Sequence, residues 1–115
     1  MDLYRVIEVK QSVFADNDAE AARLRETLNA EGVFLINLMS SPGSGKTTTL
    51  TRLIPLLQKT LRVGVMEADI DSDVDADTIS RTGARVIQLH TGGMCHLDAA
   101  MTGEGLRQLG TEGLD

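Results

Sequence analysis

The chain has 115 residues, a net charge of −6 and a single cysteine. This length fits one small domain, and the acidic balance argues against nucleic-acid binding, which needs a basic patch. One cysteine excludes an internal disulfide and favours a reducing cytoplasm, and no apolar run of about 18 residues is present to span a membrane.

Short apolar runs alternate with helical patterns, which predicts an α/β fold with a mostly parallel sheet and flanking helices. No element is predicted for the first ten residues. A helix is expected to begin near Asn17, which can cap it with Glu20 three residues on, and to end at Gly32. Its inward face is expected to carry Ala21, Leu24 and Leu28. The run VFLINL, residues 33–38, is nearly all apolar and predicts a strand buried on both faces.

A second helix is predicted over residues 46–60, and Pro55 inside it removes one backbone donor and is expected to kink it. The residues expected to face inward from this helix are Leu50, Leu53, Ile54 and Leu57. The sequences RVGVMEAD (62–69) and ARVIQLH (84–90) predict two further strands, with a short helix at 76–81 between them.

A last helix is predicted to begin near Leu97 and to carry Ala100, Met101 and Leu109. Gly103 and Gly105 fall inside it, and each weakens a helix by about 1 kcal/mol relative to alanine.

The sequence SSPGSGKT, residues 40–47, matches the phosphate-loop pattern G-x-x-x-x-G-K-[ST] except that Ser40 holds the first place. The grip on phosphate comes from successive backbone N–H groups and the positive end of the following helix, so a serine is compatible with it. Lys46 is expected to contact the β- and γ-phosphates, and Thr47 to place its hydroxyl on Mg²⁺. The predicted nucleotide-binding residues are Gly43, Ser44, Gly45, Lys46, Thr47 and Thr48.

A plain Gly/Ser turn is the alternative to a phosphate loop. The strand-like run before the loop and the helical pattern after it favour phosphate binding. The loop does not by itself distinguish GTP from ATP.

The sequence EADIDSDVDAD, residues 67–77, places aspartates at every second position. A calcium loop counted from Asp69 fails, because its sixth and twelfth places hold Val74 and Ser80 instead of glycine and glutamate. Most of these aspartates are expected to lie in a solvated loop. Asp69 directly follows a predicted buried strand, where open α/β sheets bind ligands, and is a candidate for Mg²⁺. Asp75 is a second candidate, to orient water or metal.

Cys95 and His96 are adjacent, and thiolate with imidazole suits Zn²⁺, Ni²⁺ or copper. From spacing alone, a buried thiol beside a surface histidine is the simpler interpretation, because two ligands do not complete a tetrahedral site. Two copies related by a two-fold axis would supply four ligands. His90 is a weaker additional candidate.

Together, three segments resemble the HypB-type hydrogenase nickel-incorporation GTPases: GVFLINLMSSPGSGKTT (32–48), EADIDSDVDAD (67–77) and LHTGGMCHLDAAM (89–101). The loop of that family also reads S-S-P-G-S-G-K-T, so the resemblance accounts for Ser40. The related urease accessory GTPases of the UreG type place a proline between the cysteine and the histidine. Adjacent Cys95 and His96 therefore favour the hydrogenase branch.

The resemblance implies a P-loop NTPase fold that binds GTP and Mg²⁺. The candidate catalytic residues remain Lys46, Asp69 and Asp75, with Thr47 and Asp69 on Mg²⁺. Cys95 and His96 would hold Ni²⁺ or Zn²⁺ at a nucleotide-dependent homodimer interface. GTP hydrolysis would gate nickel delivery to the large subunit of a [NiFe] hydrogenase, with a HypA-type partner.

The sequence also departs from the family pattern. It lacks the later E-N-V-G-N-like switch strand, the N-K-x-D segment that reads guanine, and an N-terminal Cys-rich or His-rich nickel motif. The expectation is a partial GTPase domain, with residues 1–32 as an N-terminal segment and helix and residues 33–115 as the front half of the core. Such a chain is expected to hydrolyse GTP poorly alone. A non-catalytic nucleotide- and metal-binding module, or another P-loop kinase or ATPase, are the alternatives.

Overall fold

A computed structural model describes residues 4–9, 17–38, 45–68, 74–91 and 97–115. Strands and helices alternate along most of the chain, which confirms the α/β prediction. None of the helices in these ranges combines the length and apolarity needed to cross a membrane. The elements are β1 (Tyr4–Glu8), α1 (Asn17–Glu31), α2 (Lys46–Leu57), β2 (Gly64–Ala68), α3 (Val74–Ser80), β3 (Arg85–His90) and α4 (Ala99–Leu109).

The three strands form one parallel sheet in the order β1-β3-β2. The central strand β3 is buried from Val86 to Leu89 and exposed only at its two ends. A parallel strand covered on both faces needs apolar residues at successive positions, which explains why this segment shows little alternation. The predicted strands at 62–69 and 84–90 are therefore confirmed, with slightly shorter bounds.

Helices cover both faces of the sheet and divide the core into two clusters. On one face, the side chains of Ile87 and Leu89 pack with those of Val9, Met101 and Leu109, so α4 covers this side. On the other face, Val86 packs under α2 and α3; this second cluster contains Ile54, Ala76, Ile79, Ala84 and Val86. Residues that alternate along β3 thus serve opposite faces, as strand geometry requires.

The predicted strand over residues 33–38 is wrong. This segment carries no strand, and the side chains of Phe34 and Ile36 are 78% and 70% exposed. The two places beside the central strand β3 are taken by β2 and by β1, which pairs with it over five residues. The Phe34 amide instead donates a hydrogen bond to the backbone carbonyl oxygen of Asp115 at 2.8 Å. An apolar run is buried in a sheet only when a neighbouring strand accepts its backbone hydrogen bonds.

The predicted helix over 46–60 is observed as α2, which ends at Leu57 and continues as turns to residue 60. Ile54 is buried in the core, but Leu53 is 42% exposed, so its predicted inward position is wrong. The apolar residues from Leu53 to Leu57 span too wide an arc of the helix for all of them to face the sheet. Pro55 lies inside the helix as predicted.

The remaining helices lie close to their predicted bounds. Helix α1 begins at Asn17, buries Leu28 and is followed by Gly32 at a φ of +72°, the left-handed conformation expected after a helix. Helix α4 begins at Ala99 rather than near residue 97, because Asp98 is extended and its carboxylate accepts a hydrogen bond from the Met101 amide. The observed capping role of the Asn17 side chain is at α4, where its oxygen accepts from the Ala99 amide.

Candidate nucleotide-binding site

The start of α2 has a backbone geometry that is compatible with the end of a phosphate loop. Gly45 is the residue before the helix and adopts φ 90° and ψ 18°, a left-handed conformation that strains any residue with a Cβ. Lys46 is the first residue of the helix. The Gly-Lys-Thr sequence therefore carries the chain from a left-handed glycine directly into a helix N-terminus, where backbone N–H groups are left for a ligand.

The first turn of α2 favours an anion. It contains no acidic residue, so nothing there competes for the positive end of the helix dipole. The hydroxyls of Thr49 and Thr51 donate to the backbone carbonyls of Gly45 and Thr48, each at 2.9 Å. These two threonines are therefore engaged with their own helix, in contrast to the role expected of Thr47.

Lys46 and Thr47 are half-buried, and Thr48 is exposed. The ion pairs found within the described ranges join Arg23 to Glu20, Arg62 to Asp115, Arg81 to Asp77 and Arg107 to Glu104. None of them involves Lys46. Its ammonium group is thus not committed to a carboxylate in this part of the chain, as a phosphate-binding lysine requires.

Several predicted site residues fall outside the described ranges. These are Gly43, Ser44, Asp69, Cys95 and His96. Asp75 is described only as a backbone position in the first turn of α3. In the parts that are described, no group of three potential metal ligands occurs. The assignments of these residues to nucleotide, Mg²⁺ or nickel therefore stay predictions.

The elements that flank these residues converge on one edge of the sheet. Ala68, which precedes Asp69, pairs with Leu89 near the end of the parallel strand β3. The chain segments carrying Asp69 and the Cys95–His96 pair therefore leave the sheet from adjacent strand ends. Helix α2 covers the sheet and leads through the short connection 58–63 into β2, so its own start points toward the same edge. This is the edge where open α/β sheets bind ligands.

Two buried polar side chains near this edge were not identified from the sequence. Glu67 and Gln88 are opposite each other in the paired strands and both are buried. Alternation from Val65 and Val86 places them on the face covered by α2 and α3. Within the described part of the chain, the Gln88 Oε1 atom has no hydrogen-bond partner. The sequence could have indicated them, because each is a polar residue inside an apolar strand pattern. Burying such a group is costly, so its presence there points to a specific role.

Comparison with known proteins agrees with this geometry. The family described as the CobW/HypB/UreG nucleotide-binding domain matches residues 34–114. Hydrogenase maturation factor HypB of Rhizobium leguminosarum bv. viciae is 45% identical over 112 residues, which cover 97% of this chain and 38% of that protein. The probable hydrogenase maturation factor HypB of Methanocaldococcus jannaschii is 32% identical over the whole chain, which covers 52% of it.

A solved structure gives the same result for the fold. The crystal structure of HypB from Helicobacter pylori in complex with nickel superimposes with a TM-score of 0.73 and 39% sequence identity, covering 86% of this chain and 45% of that one. The parallel sheet with flanking helices is thus part of a P-loop NTPase fold. Since the family match spans well over half of the sequence, this chain belongs to the CobW/HypB/UreG nucleotide-binding family.

Proposed function

We propose that this chain is the nucleotide-binding part of a GTP-dependent metallochaperone that inserts nickel during [NiFe] hydrogenase maturation. The observation that carries the proposal is the left-handed Gly45 leading into a helix that starts at Lys46. Relatives named hydrogenase maturation factor HypB, 45% identical to this chain, support the choice of function.

In this proposal, the backbone from Gly43 to Thr48 surrounds the phosphates, and the Lys46 ammonium contacts the β- and γ-phosphates. Thr47 and Asp69 hold Mg²⁺, and Asp75 orients the attacking water. Phosphoryl transfer needs little covalent chemistry from the protein, because positioning and neutralisation of phosphate charge supply most of the catalysis.

Nickel is the cargo of the proposed reaction. Cys95 and His96 provide a thiolate and an imidazole, and two protomers related by a two-fold axis would provide the four ligands that a closed site needs. The nickel-bound structure of a 39% identical HypB supports a metal role. The proposed partners are a second copy of the chain, a HypA-type nickel chaperone and the hydrogenase large subunit, and Zn²⁺ is an alternative metal.

Nucleotide binding is tested by comparing Lys46→Ala with Lys59→Ala, a control at an exposed lysine in the turn after α2. Titration with GTP and Mg²⁺ should show a loss of affinity of at least about tenfold for Lys46→Ala, because a charge-assisted contact is removed. Lys59→Ala should bind as the wild type does. Equal affinities for the two variants would contradict the phosphate-loop assignment, and the same titration with ATP tests the choice of nucleotide.

The metal assignment is tested by Ni²⁺ and Zn²⁺ titration with sedimentation, on the wild type and on Cys95→Ala, His96→Ala and His90→Ala. The first two variants should lose metal-dependent dimerisation, and His90→Ala should keep it. Affinity should weaken as the pH falls, because the thiol must lose its proton to bind metal. If Cys95→Ala binds metal and dimerises as the wild type does, the Cys-His pair has no metal role.

A further inference from the structure

We propose that Asn17 is a positioning residue for the metal-binding segment, acting through the start of α4. The inference rests on the proposed metal role of Cys95 and His96. Asn17 lies 82 positions before Ala99 in the sequence, yet its side-chain Oδ1 accepts a hydrogen bond from the Ala99 amide at 2.7 Å. Ala99 is the first residue of α4, and His96 lies three positions before it.

Two side chains share the capping of α4. The Asp98 carboxylate accepts from the Met101 amide at 2.8 Å, as a local N-cap does. Asn17 satisfies a second of the first-turn amides that have no partner within the helix. The local cap fixes where the helix begins, whereas the Asn17 bond fixes where that beginning lies relative to another helix.

Helix α1 is suited to this role by its other contacts. Only Leu28 of α1 is buried, so the helix contributes little to the core. It lies along α4 in the same direction, because Asn17 joins the two starts and a hydrogen bond from the Thr111 hydroxyl to the Glu31 carboxylate joins the two ends. A groove between the two helices is lined by side chains including Leu24, Leu28 and Leu106. Helix α1 is therefore attached to α4 at both ends.

The consequence for metal binding is preorganisation. When the Ala99 amide loses its acceptor, the first turn of α4 frays more often, and the ligands just before it sample more conformations. A metal site must then order those residues on binding, which lowers its affinity. Removing an N-cap acceptor shifts a helix equilibrium by about fivefold, which sets the upper limit for the expected loss in metal affinity.

The test is Ni²⁺ titration of the full chain, followed by the sulfur-to-nickel charge-transfer absorption that reports thiolate ligation. Asn17→Ala should weaken binding measurably, by up to about fivefold. Asn17→Asp keeps the acceptor oxygen and should bind at least as tightly as the wild type. Asn29→Ala, at an exposed position in the last turn of the same helix, is the matched control and should bind as the wild type does. A melting curve for each variant shows whether it is folded.

A second measurement needs no variant. Amide hydrogen exchange of the wild type should show the Ala99 N–H protected, although a first-turn amide normally exchanges quickly. Rapid exchange at Ala99 overturns the inference, as does unchanged nickel affinity in Asn17→Ala. If Cys95→Ala binds nickel as the wild type does, the proposed metal function fails first. If Cys95→Ala loses nickel and Asn17→Ala does not, only the role of Asn17 fails.

Discussion

Replacing Gly105 with alanine should destabilise the fold, although alanine is the better helix former. Gly105 lies inside α4 where that helix crosses the sheet. A Cβ built at this position would lie 2.9 Å from both Leu89 Cδ1 and Met66 Sδ, and 3.2 Å from Leu89 Cδ2. These separations are well below the 3.5–4.0 Å or so at which carbon atoms pack best. The glycine thus allows a close approach of α4 to β3 and β2.

The magnitude follows from two opposing effects. Alanine in place of glycine stabilises a helix interior by about 1 kcal/mol. Adding a methyl group to a filled core costs about 1–3 kcal/mol, and Leu89 is fully buried among Val9, Ile87 and Met101, so it has little room to move. The steric effect wins, and Gly105→Ala should be less stable than the wild type by up to about 2 kcal/mol.

Gly103 provides the matched control, because it lies two residues away in the same helix. The nearest atom to a Cβ there is Arg107 Nη1 at 3.6 Å, an ordinary contact with a flexible side chain. Gly103→Ala should therefore gain helix stability of about 0.5–1 kcal/mol. Thermal and urea unfolding of both variants measures the difference. If Gly105→Ala is as stable as Gly103→Ala, then α4 does not pack against the sheet as closely as the structure indicates.

Two further predictions concern polar groups. Gln88→Leu removes a buried acceptor that has no hydrogen-bond partner among the described residues, so urea unfolding should show a gain of about 1 kcal/mol, and a loss would mean that Oε1 is partnered. Hydrogen bonds from the Arg62 side chain and backbone hold the pKa of Asp115 below its ordinary value of 3.8. The folded state therefore binds that proton less readily than the unfolded state, so this stabilisation is present above the ordinary pKa and is lost as pH falls through the lowered one. As the pH falls below about 4, the melting temperature of Asp115→Asn should fall less than that of the wild type. If the two proteins show the same dependence of melting temperature on pH, this pair does not contribute to stability in the way described.

Much of the fold could be predicted because local patterns and tertiary contacts agree. The strand over Arg85–His90 is the most buried in the sheet, so its apolar sequence correctly predicted a buried strand. The helix start at Lys46 was predicted from Gly-Lys-Thr, because that sequence specifies backbone conformation and not a particular neighbour. Features set by the local chain were thus recovered to within two or three residues.

The errors concern features that depend on distant parts of the chain. Apolarity over residues 33–38 indicates a preference for burial, but it does not say which segment pairs with β3, and β1 takes that place. Asn17 was identified as a capping residue from its local sequence, but its observed acceptor role is toward Ala99. In both cases the residue type predicts the kind of interaction, and the fold selects the partner.

The two halves of the proposed function meet at the ends of two paired strands. Ala68 pairs with Leu89, the segment with Asp69 leaves from β2, and the segment with Cys95 and His96 leaves from β3. In the proposed function, the Mg²⁺ ligand Asp69 and the Cys95–His96 pair would therefore be connected through paired strands. On the far side, the metal segment runs into α4, whose first amide is held by Asn17. In the proposed function, the residues for nucleotide, metal and positioning therefore follow one another through β2, β3 and the start of α4.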